Sequence, residues 1–378
     1  MMLQRKVFTE EHEMLRATSR KFFEAEMVPH HREWETAGVA PRWIWTKAGE
    51  NGLLCINVPV EYGGGGGDRL AAAVVIEEQA RLGLSGPGFW THSDIIAQYF
   101  VSYATEAQKQ AWLPGMAKGE LIGAIALTEP STGSDLRSIQ ATAVRDGDEY
   151  VINGQKMFIT NGQCADLFIV AVKVGPVESK DLTLIVVEGN RKGLSRGSNL
   201  EKIGMKAQDT CEIFFDDVRV PVGNILGQEG RGFALLSKEL AWERLQIAIG
   251  AVAICEGALE WTRTYTKERK AFGTAIGDFQ NTRFRLAEVK TEIQIAQVFV
   301  DRCLAEVNEG TLDPAVAAMA KYWTTEMMGR ILDQCLQLHG GYGYMWEYPI
   351  ARAYADARVH RIYGGSNEIM REIIARTL

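Results

Sequence analysis

Residues 150–160 read Y-V-I-N-G-Q-K-M-F-I-T. β-Branched and aromatic residues fill this run, which predicts strand rather than helix. Three similar runs follow: L-F-I-V-A-V-K-V at 167–174, L-T-L-I-V-V-E-G at 182–189 and C-E-I-F-F-D-D-V-R-V-P at 211–221. The punctuation is D-G-D-E at 146–149, N-G at 161–162 and G-P-V-E-S-K-D at 175–181. Such residues make tight turns between antiparallel strands.

On both sides of this β block the apolar period changes to three and four residues, the spacing of helices. Upstream, helical pattern runs from Thr9 to about residue 118, broken at Pro29, Pro41, the glycines 63–67 and Gly86-Pro87-Gly88. T-E-E-H at 9–12 opens it with a threonine cap, followed by His12 where a full capping box wants Glu or Gln. The glycine run reads as a flexible surface loop, since no Lys-Ser/Thr follows it as a phosphate cradle requires. Downstream, four long helical segments span about 233–267, 280–308, 315–339 and 348–375. The predicted fold class is α+β: an N-terminal α-helical domain over 1–120, a middle antiparallel β domain over 121–227 and a C-terminal four-helix bundle over 228–378.

The 378 residues carry a formal charge of −7, with 46% hydrophobic and 24% charged residues. That balance is globular and argues against nucleic acid or an anionic membrane as main partner. The six cysteines stand singly and the six histidines show no metal-binding spacing, so neither a disulfide framework nor a metal site is expected. The charged amphipathic N-terminus does not read as a targeting peptide, and no apolar run approaches the ~20 residues of a membrane span. A cytoplasmic protein without integral membrane association is the expectation.

Within the bundle, residues 240–250 read L-A-W-E-R-L-Q-I-A-I-G, continuing A-V-A-I-C. From Leu245 to Cys255 only Gln246 interrupts an apolar surface, so this helix must be enclosed. Glu243 and Arg244 border that enclosed region, where a carboxylate is costly unless paired, hydrated or used. In the β block, A-L-T-E-P-S-T-G-S-D at 126–135 offers backbone N–H groups and hydroxyls to a polar ring or phosphate, or makes a plain turn. K-E-R-K at 267–270 reads by itself as a solvated helix end, and G-G-Y-G-Y at 340–344 as a loop between helices.

The stretch 126–135, N-G-Q-K-M-F-I-T-N-G at 153–162, E-R-K-A-F-G-T-A-I-G-D-F-Q at 268–280, Q-L-H-G-G-Y-G-Y at 337–344 and I-Y-G-G-S-N-E-I-M at 362–370 resemble, in order, motifs of the acyl-CoA dehydrogenase family. The resemblance spans essentially the whole chain. It implies FAD, held near its isoalloxazine by Ile125, Leu127, Thr128, Gly133, Ser134, Phe158, Ile159 and Thr160, with Phe158 where many members have Trp. It further implies that Arg269, Phe272, Gln280, Gln337, Gly340 and Gly341 reach the FAD of a neighbouring subunit, and that Ser366 and Glu368 lie on the cofactor side. A homotetramer, a dimer of dimers, is the implied assembly, with an electron-transferring flavoprotein as electron acceptor.

Such enzymes need one base to take the α-proton while the β-hydrogen leaves as hydride to flavin N5. A carboxylate of raised pKa suits this. Many members carry the Glu in Y-E-G-T before the last helix, where this chain has Tyr363-Gly364-Gly365-Ser366. A smaller group, including the long-chain and isovaleryl members, places it in a stretch resembling W-E-R-L, and Glu243 matches that position. The implied reaction is dehydrogenation of a fatty acyl-CoA to the trans-2-enoyl-CoA in β-oxidation, with Glu243 as base and Gly364 leaving room for it. Glu239, one turn earlier, is the competing carboxylate and is expected to be solvated or to repel Glu243. Ser134, Arg244, Tyr363, Gly364 and Gly365 are the implied acyl-CoA contacts; for Arg244, charge balance for Glu243 serves equally well.

The C-terminal half resembles the long-chain member most, and S-G-P-G-F at 85–89 promises small residues that deepen an acyl cavity, although Trp90 could close its floor. Medium-to-long chains are expected, with branched short or isoprenoid acyl groups as the alternative. An acyl-CoA oxidase is less favoured, its relatives having an extra C-terminal domain. A non-catalytic flavoprotein is the other class considered.

Overall fold

The computed structural model describes residues 3–175 and 181–378, so most of the turn read at 175–181 lies outside the described residues. The first block is helical: α1 (Glu10–Phe22), α2 (His31–Ala37), α3 (Arg42–Glu50), α4 (Arg69–Arg81), α5 (Ala97–Tyr103) and α6 (Glu106–Ala117). A π-helical turn, Thr91–Ile96, runs directly into α5. Thr9 does cap α1 through a complete box, because His12 Nδ1 accepts from the Thr9 N–H at 3.1 Å and fills the role expected of Glu. Glycines 63–67 are not the loose loop their composition predicts. Gly65, Gly66 and Gly67 donate to the carbonyls of Cys55, Val58 and Ile56, and a Cβ on Gly64 would stand 2.2 Å from Val58 O. The glycines are there because the chain folds back upon itself.

The middle block is an eight-stranded sheet of β1 (Gly123–Ala126), β2 (Thr142–Asp146), β3 (Glu149–Thr160), β4 (Leu167–Val174), β5 (Leu182–Glu188), β6 (Leu194–Arg196), β7 (Thr210–Pro221) and β8 (Ile225–Leu226). The order is β6-β7-β3-β2-β4-β5-β8, with β1 against β4. Most pairs are antiparallel as expected, but β1–β4 and β2–β4 are parallel. Neither of those pairs is joined by a hairpin, and parallel neighbours need the longer crossover that the intervening chain supplies. N-G at 161–162 turns the chain out of β3 as expected, while Asn153-Gly154 inside β3 marks a register shift, where Gly154 takes φ +145° and a Cβ would meet Ala141 Cβ at 2.7 Å. Turn chemistry has been used for a bulge inside one long strand.

The last block holds α7 (Gly232–Glu268), a small hairpin of β9 (Lys270–Ala271) and β10 (Thr274–Ala275), α8 (Gln280–Asn308), α9 (Pro314–His339), α10 (Pro349–Ala357) and α11 (Asn367–Ala375). The segment expected as one helix over 348–375 is therefore two. After a 3₁₀ turn, Arg358–Arg361, the backbone reaches Gly364 (φ +64°) and Gly365 (φ +88°), left-handed conformations that a right-handed helix cannot carry through. α7 is long and apolar enough in composition to cross a bilayer, but two thirds of its apolar window, 67%, is buried inside the protein. It packs against α4, α8 and α9, which explains why its surface from Leu245 to Cys255 lacks a polar face.

Candidate active site

Glu243 sits half-buried on α7, with α5 alongside. The Tyr99 hydroxyl donates to its Oε1 at 3.0 Å, while Oε2 has no hydrogen-bond partner among the described residues. Burial pushes the Glu243 carboxyl up to about 7; Glu239 also raises it, and the Tyr99 bond and Arg244 oppose the rise. Such a group is half ionised near neutrality, the condition under which a carboxylate works as a general base. Glu239 is not solvated as expected: it is buried and accepts from the Tyr103 hydroxyl at 2.5 Å.

Gly364 and Gly365 pass over the same part of α7. A Cβ on Gly364 would stand 2.3 Å from Ile247 Cδ1, so glycine here makes room for Ile247, one turn beyond Glu243, rather than for Glu243 itself. The loop is pinned by Lys321, fully buried on α9, whose ammonium donates to Gly365 O at 2.8 Å and Asn367 Oδ1 at 2.9 Å. Ser366 caps α11 by accepting from Ile369 N, and Glu368 points outward to Arg371 at 3.6 Å. Arg244 is buried and forms no ion pair with Glu243; its Nε has no partner, and burial depresses its pKa against the pull of Glu243. Its Nη2 lies 4.0 Å from where a Gly365 Cβ would be. A buried guanidinium with an empty donor is a ready site for an incoming acceptor.

A cleft opens beside this loop, holding about 680 Å³ of empty space with solvent at its mouth included. Ile247, Gly250 and Ile254 line it along one face of α7, and Trp90 and Tyr363 line it opposite, packed edge-to-face at 6.1 Å. Seven steps of 1.5 Å from Ile247 to Ile254 make that face about 10 Å long. Of the stretch 85–89 expected to deepen the cavity, Ser85 borders it, but Gly86 and Gly88 do not. Cβ atoms there would meet Ala207 O at 2.3 Å and Asn161 Oδ1 at 2.6 Å, so these glycines serve contact with the middle domain.

The predicted flavin residues of the middle domain come together at one end of the sheet. Ile125 lies in β1, Leu127 and Thr128 follow the strand's end, and the Met157 N–H donates to Thr128 O at 2.8 Å, tying this loop to Phe158, Ile159 and Thr160 on β3. Phe158 takes φ +61° at a second register shift and is 59% exposed, an aromatic ring turned outward at a cost in backbone strain. Ile159 is buried, so only its backbone faces outward groups. The hydroxyls of Thr128, Ser134 and Thr160 have no partner among the described residues, and a Cβ on Gly133 would meet nothing within 4 Å. Free hydroxyls, an outward ring and open space suit a planar heterocycle with polar edges. Beneath the loop Lys156 and Glu129, both buried, pair at 2.8 Å; Lys156 also donates to Leu127 O, and Glu129 accepts from Gln140 N and Ala141 N.

The remaining predicted residues form a separate group with no hydrogen bond, ion pair or ring contact to the first among the described residues. Arg269 precedes the β9–β10 hairpin and Phe272 stands in its turn, Gln280 opens α8, Gln337 lies in the last turn of α9, and Gly340 and Gly341 follow that helix. The Arg269 guanidinium stands 5.6 Å over the Tyr342 ring, joining hairpin and glycine loop. Phe272 is 99% exposed, and Cβ atoms on Gly340 and Gly341 would meet nothing within 4 Å. A bare aromatic and an open glycine loop beside a cation leave room for a partner surface or an anionic ligand. Sequence reading passed over Tyr99, Tyr103, Lys156 and Lys321; a single lysine inside an apolar strand or helix was the available signal for the last two.

The sequence matches three family descriptions in succession: acyl-CoA dehydrogenase, N-terminal domain, over residues 9–120; middle domain, over 124–218; and C-terminal domain, over 230–378. The mitochondrial long-chain specific acyl-CoA dehydrogenase of Mus musculus is 50% identical over 99% of this chain and 88% of its own length. The crystal structure of an acyl-CoA dehydrogenase from Geobacillus kaustophilus superposes with a TM-score of 0.96 at 49% identity, covering 99% of each chain. That of an acyl-CoA dehydrogenase complexed with FAD from Bacillus anthracis gives 0.93 at 31% identity, covering 100% of this chain and 68% of the other. With its helical, sheet and helical blocks in that order and a half-buried glutamate beside a glycine loop, the chain belongs to the acyl-CoA dehydrogenase family.

Proposed function

We propose that this FAD-dependent acyl-CoA dehydrogenase converts a medium-to-long fatty acyl-CoA to its trans-2-enoyl-CoA, with Glu243 as the base. The observation that carries the assignment is the carboxylate itself: one oxygen is held by Tyr99, the other is free, and burial brings it to about 7 beside the glycine loop. Glu243 Oε2 takes the α-proton of the thioester. The backbone of Gly364 and Gly365, fixed by Lys321, lies along the acyl-CoA, Tyr363 walls the cleft, and the empty donor of Arg244 meets an acceptor of the thioester arm. Ser134 lends its free hydroxyl to the same arm.

FAD, when bound, supplies the acceptor for the β-hydrogen and its two electrons. Ile125, Leu127, Thr128, Gly133, Ser134, Phe158, Ile159 and Thr160 would hold it, with Ser366 and Glu368 at its flank. Arg269, Phe272, Gln280, Gln337, Gly340 and Gly341 would complete the site of a neighbouring copy, making the working form a homotetramer. The exposure of Phe272 and the open space over Gly340 and Gly341 support this. An electron-transferring flavoprotein as acceptor and a cytoplasmic location belong to the same proposal; the six cysteines are all free, as in a reducing compartment.

Chain length rests on the 50% identity to a relative named for long chains and on the reach of the cleft. Bonds of about 1.5 Å at about 111° advance an extended alkyl chain by roughly 1.25 Å per carbon, so ~10 Å of α7 faces about eight carbons. Anaerobic flavin bleaching across straight acyl-CoAs of four to sixteen carbons and branched ones tests this. Maximal kcat/KM is expected at medium-to-long chains, and a maximum at or below six carbons, or on branched acyl groups, would sink it.

A further inference from the structure

Two tyrosines four residues apart on α5 meet two glutamates four residues apart on α7. Tyr99 donates to Glu243 Oε1 at 3.0 Å and Tyr103 to Glu239 Oε1 at 2.5 Å, with the two rings 5.9 Å apart. Spacing of four places each pair of side chains on one helical face, so the helices meet as a two-rung ladder. The same stretch of α7 is docked a second way: Asp94 O, in the π-helical turn leading to α5, accepts from Trp242 Nε1 at 3.0 Å and from Gln246 Nε2 at 2.9 Å. Residues on both sides of Glu243 are thus fastened to the segment that carries Tyr99. π-Helical turns often re-aim a helix face at functional sites.

We propose that Tyr99 is a positioning residue for the base: its hydroxyl fixes one Glu243 oxygen so that the other faces substrate, while Tyr103 holds Glu239 as a second carboxylate one turn behind it. This rests on Glu243 being the base. The two rungs act in opposite senses. A hydrogen bond from Tyr99 favours the ionised carboxylate, and a neighbouring carboxylate disfavours it. Burial, with Glu243 alongside, pushes the Tyr99 phenol well above its usual range, so it stays a donor throughout the working pH. The other charged groups facing this pair are Arg244 and, over the Tyr103 ring at 6.0 Å, Lys238 on α7, Arg69 on α4 and Asp94 in the π-helical turn, with Lys321 on α9 beyond Arg244.

The test is the pH dependence of kcat/KM for flavin reduction, which reports the free enzyme's essential base. The parent should rise through a midpoint of about 7. Tyr99→Phe removes a bond to the charged form and should move that midpoint up by about one pH unit. Glu239→Gln removes the like charge and should move it down. A merely structural role for either residue changes amplitude and leaves the midpoint in place. Unmoved midpoints, or shifts in the same direction, overturn the proposal; should Tyr99→Phe fail to fold, the absence of a downward shift in Glu239→Gln overturns it alone. Glu243→Gln separates the two levels of inference: if it bleaches flavin normally, the base is misassigned, whereas if it is dead and the other midpoints do not move, only the ladder is wrong.

Discussion

Gly250→Leu should convert the enzyme into one that accepts only short chains. Gly250 lies between Ile247 and Ile254 on the cleft-facing side of α7, and the nearest atom to a Cβ placed there is Ala80 Cβ at 3.9 Å. The first added carbon therefore fits, and the rest of a leucine side chain projects into the cleft. The four steps from Gly250 to Ile254 correspond to about 6 Å of helix, room for roughly four or five methylenes. At ~0.8 kcal/mol for each methylene left unburied, the loss is about 3 kcal/mol, and at 1.36 kcal/mol per tenfold it lowers kcat/KM about 200-fold for a sixteen-carbon substrate. A four-carbon substrate ends before the obstruction and should lose no more than a few-fold. Leucine is a better helix former than glycine, so unfolding should not become easier. The assay is anaerobic flavin reduction with both substrates on the same preparations. Equal losses on both, or no loss on the long chain, would show that acyl tails do not run along this face.

Lys156→Met should destabilise the middle domain by about 3 kcal/mol or more, because it leaves Glu129 buried without its cation, and should weaken FAD retention with it. Denaturant unfolding monitored by flavin fluorescence measures both, and unchanged midpoints would show that the pair does not hold the loop. Under the proposed assembly, Phe272→Asp should leave the monomer's fold intact but shift sedimentation toward smaller species with loss of flavin. A flavin-loaded tetramer with Asp at that position would exclude the hairpin from the subunit contact.

Glu243 was legible because a charge inside an otherwise apolar helix is conspicuous wherever the chain goes. Its partner was not: Tyr99 stands 144 residues away in a run that reads as ordinary core, and only the packing of α5 on α7 joins them. The three-block order likewise follows from periodicity alone, whereas the register shift at Asn153-Gly154 was hidden inside a run that reads as plain strand, because a bulge and a hairpin turn draw on the same residues. The glycines at 364–365 were visible, yet their meaning as a helix break depends on positive φ values that sequence does not carry. The glycines at 86 and 88 face the middle domain rather than the acyl cleft, which no local pattern distinguishes. That Phe272 is almost wholly exposed could not be read from its sequence, where an aromatic residue reads as core.

The most direct measurement is anaerobic flavin bleaching by a long-chain acyl-CoA in Glu243→Gln. The variant should keep its yellow flavin and its affinity for acyl-CoA, because glutamine preserves shape and can still accept from Tyr99, and should lose bleaching by at least 10²–10⁴-fold for want of a base. Bleaching at the parent's rate would contradict the assignment of Glu243 as the group that takes the α-proton.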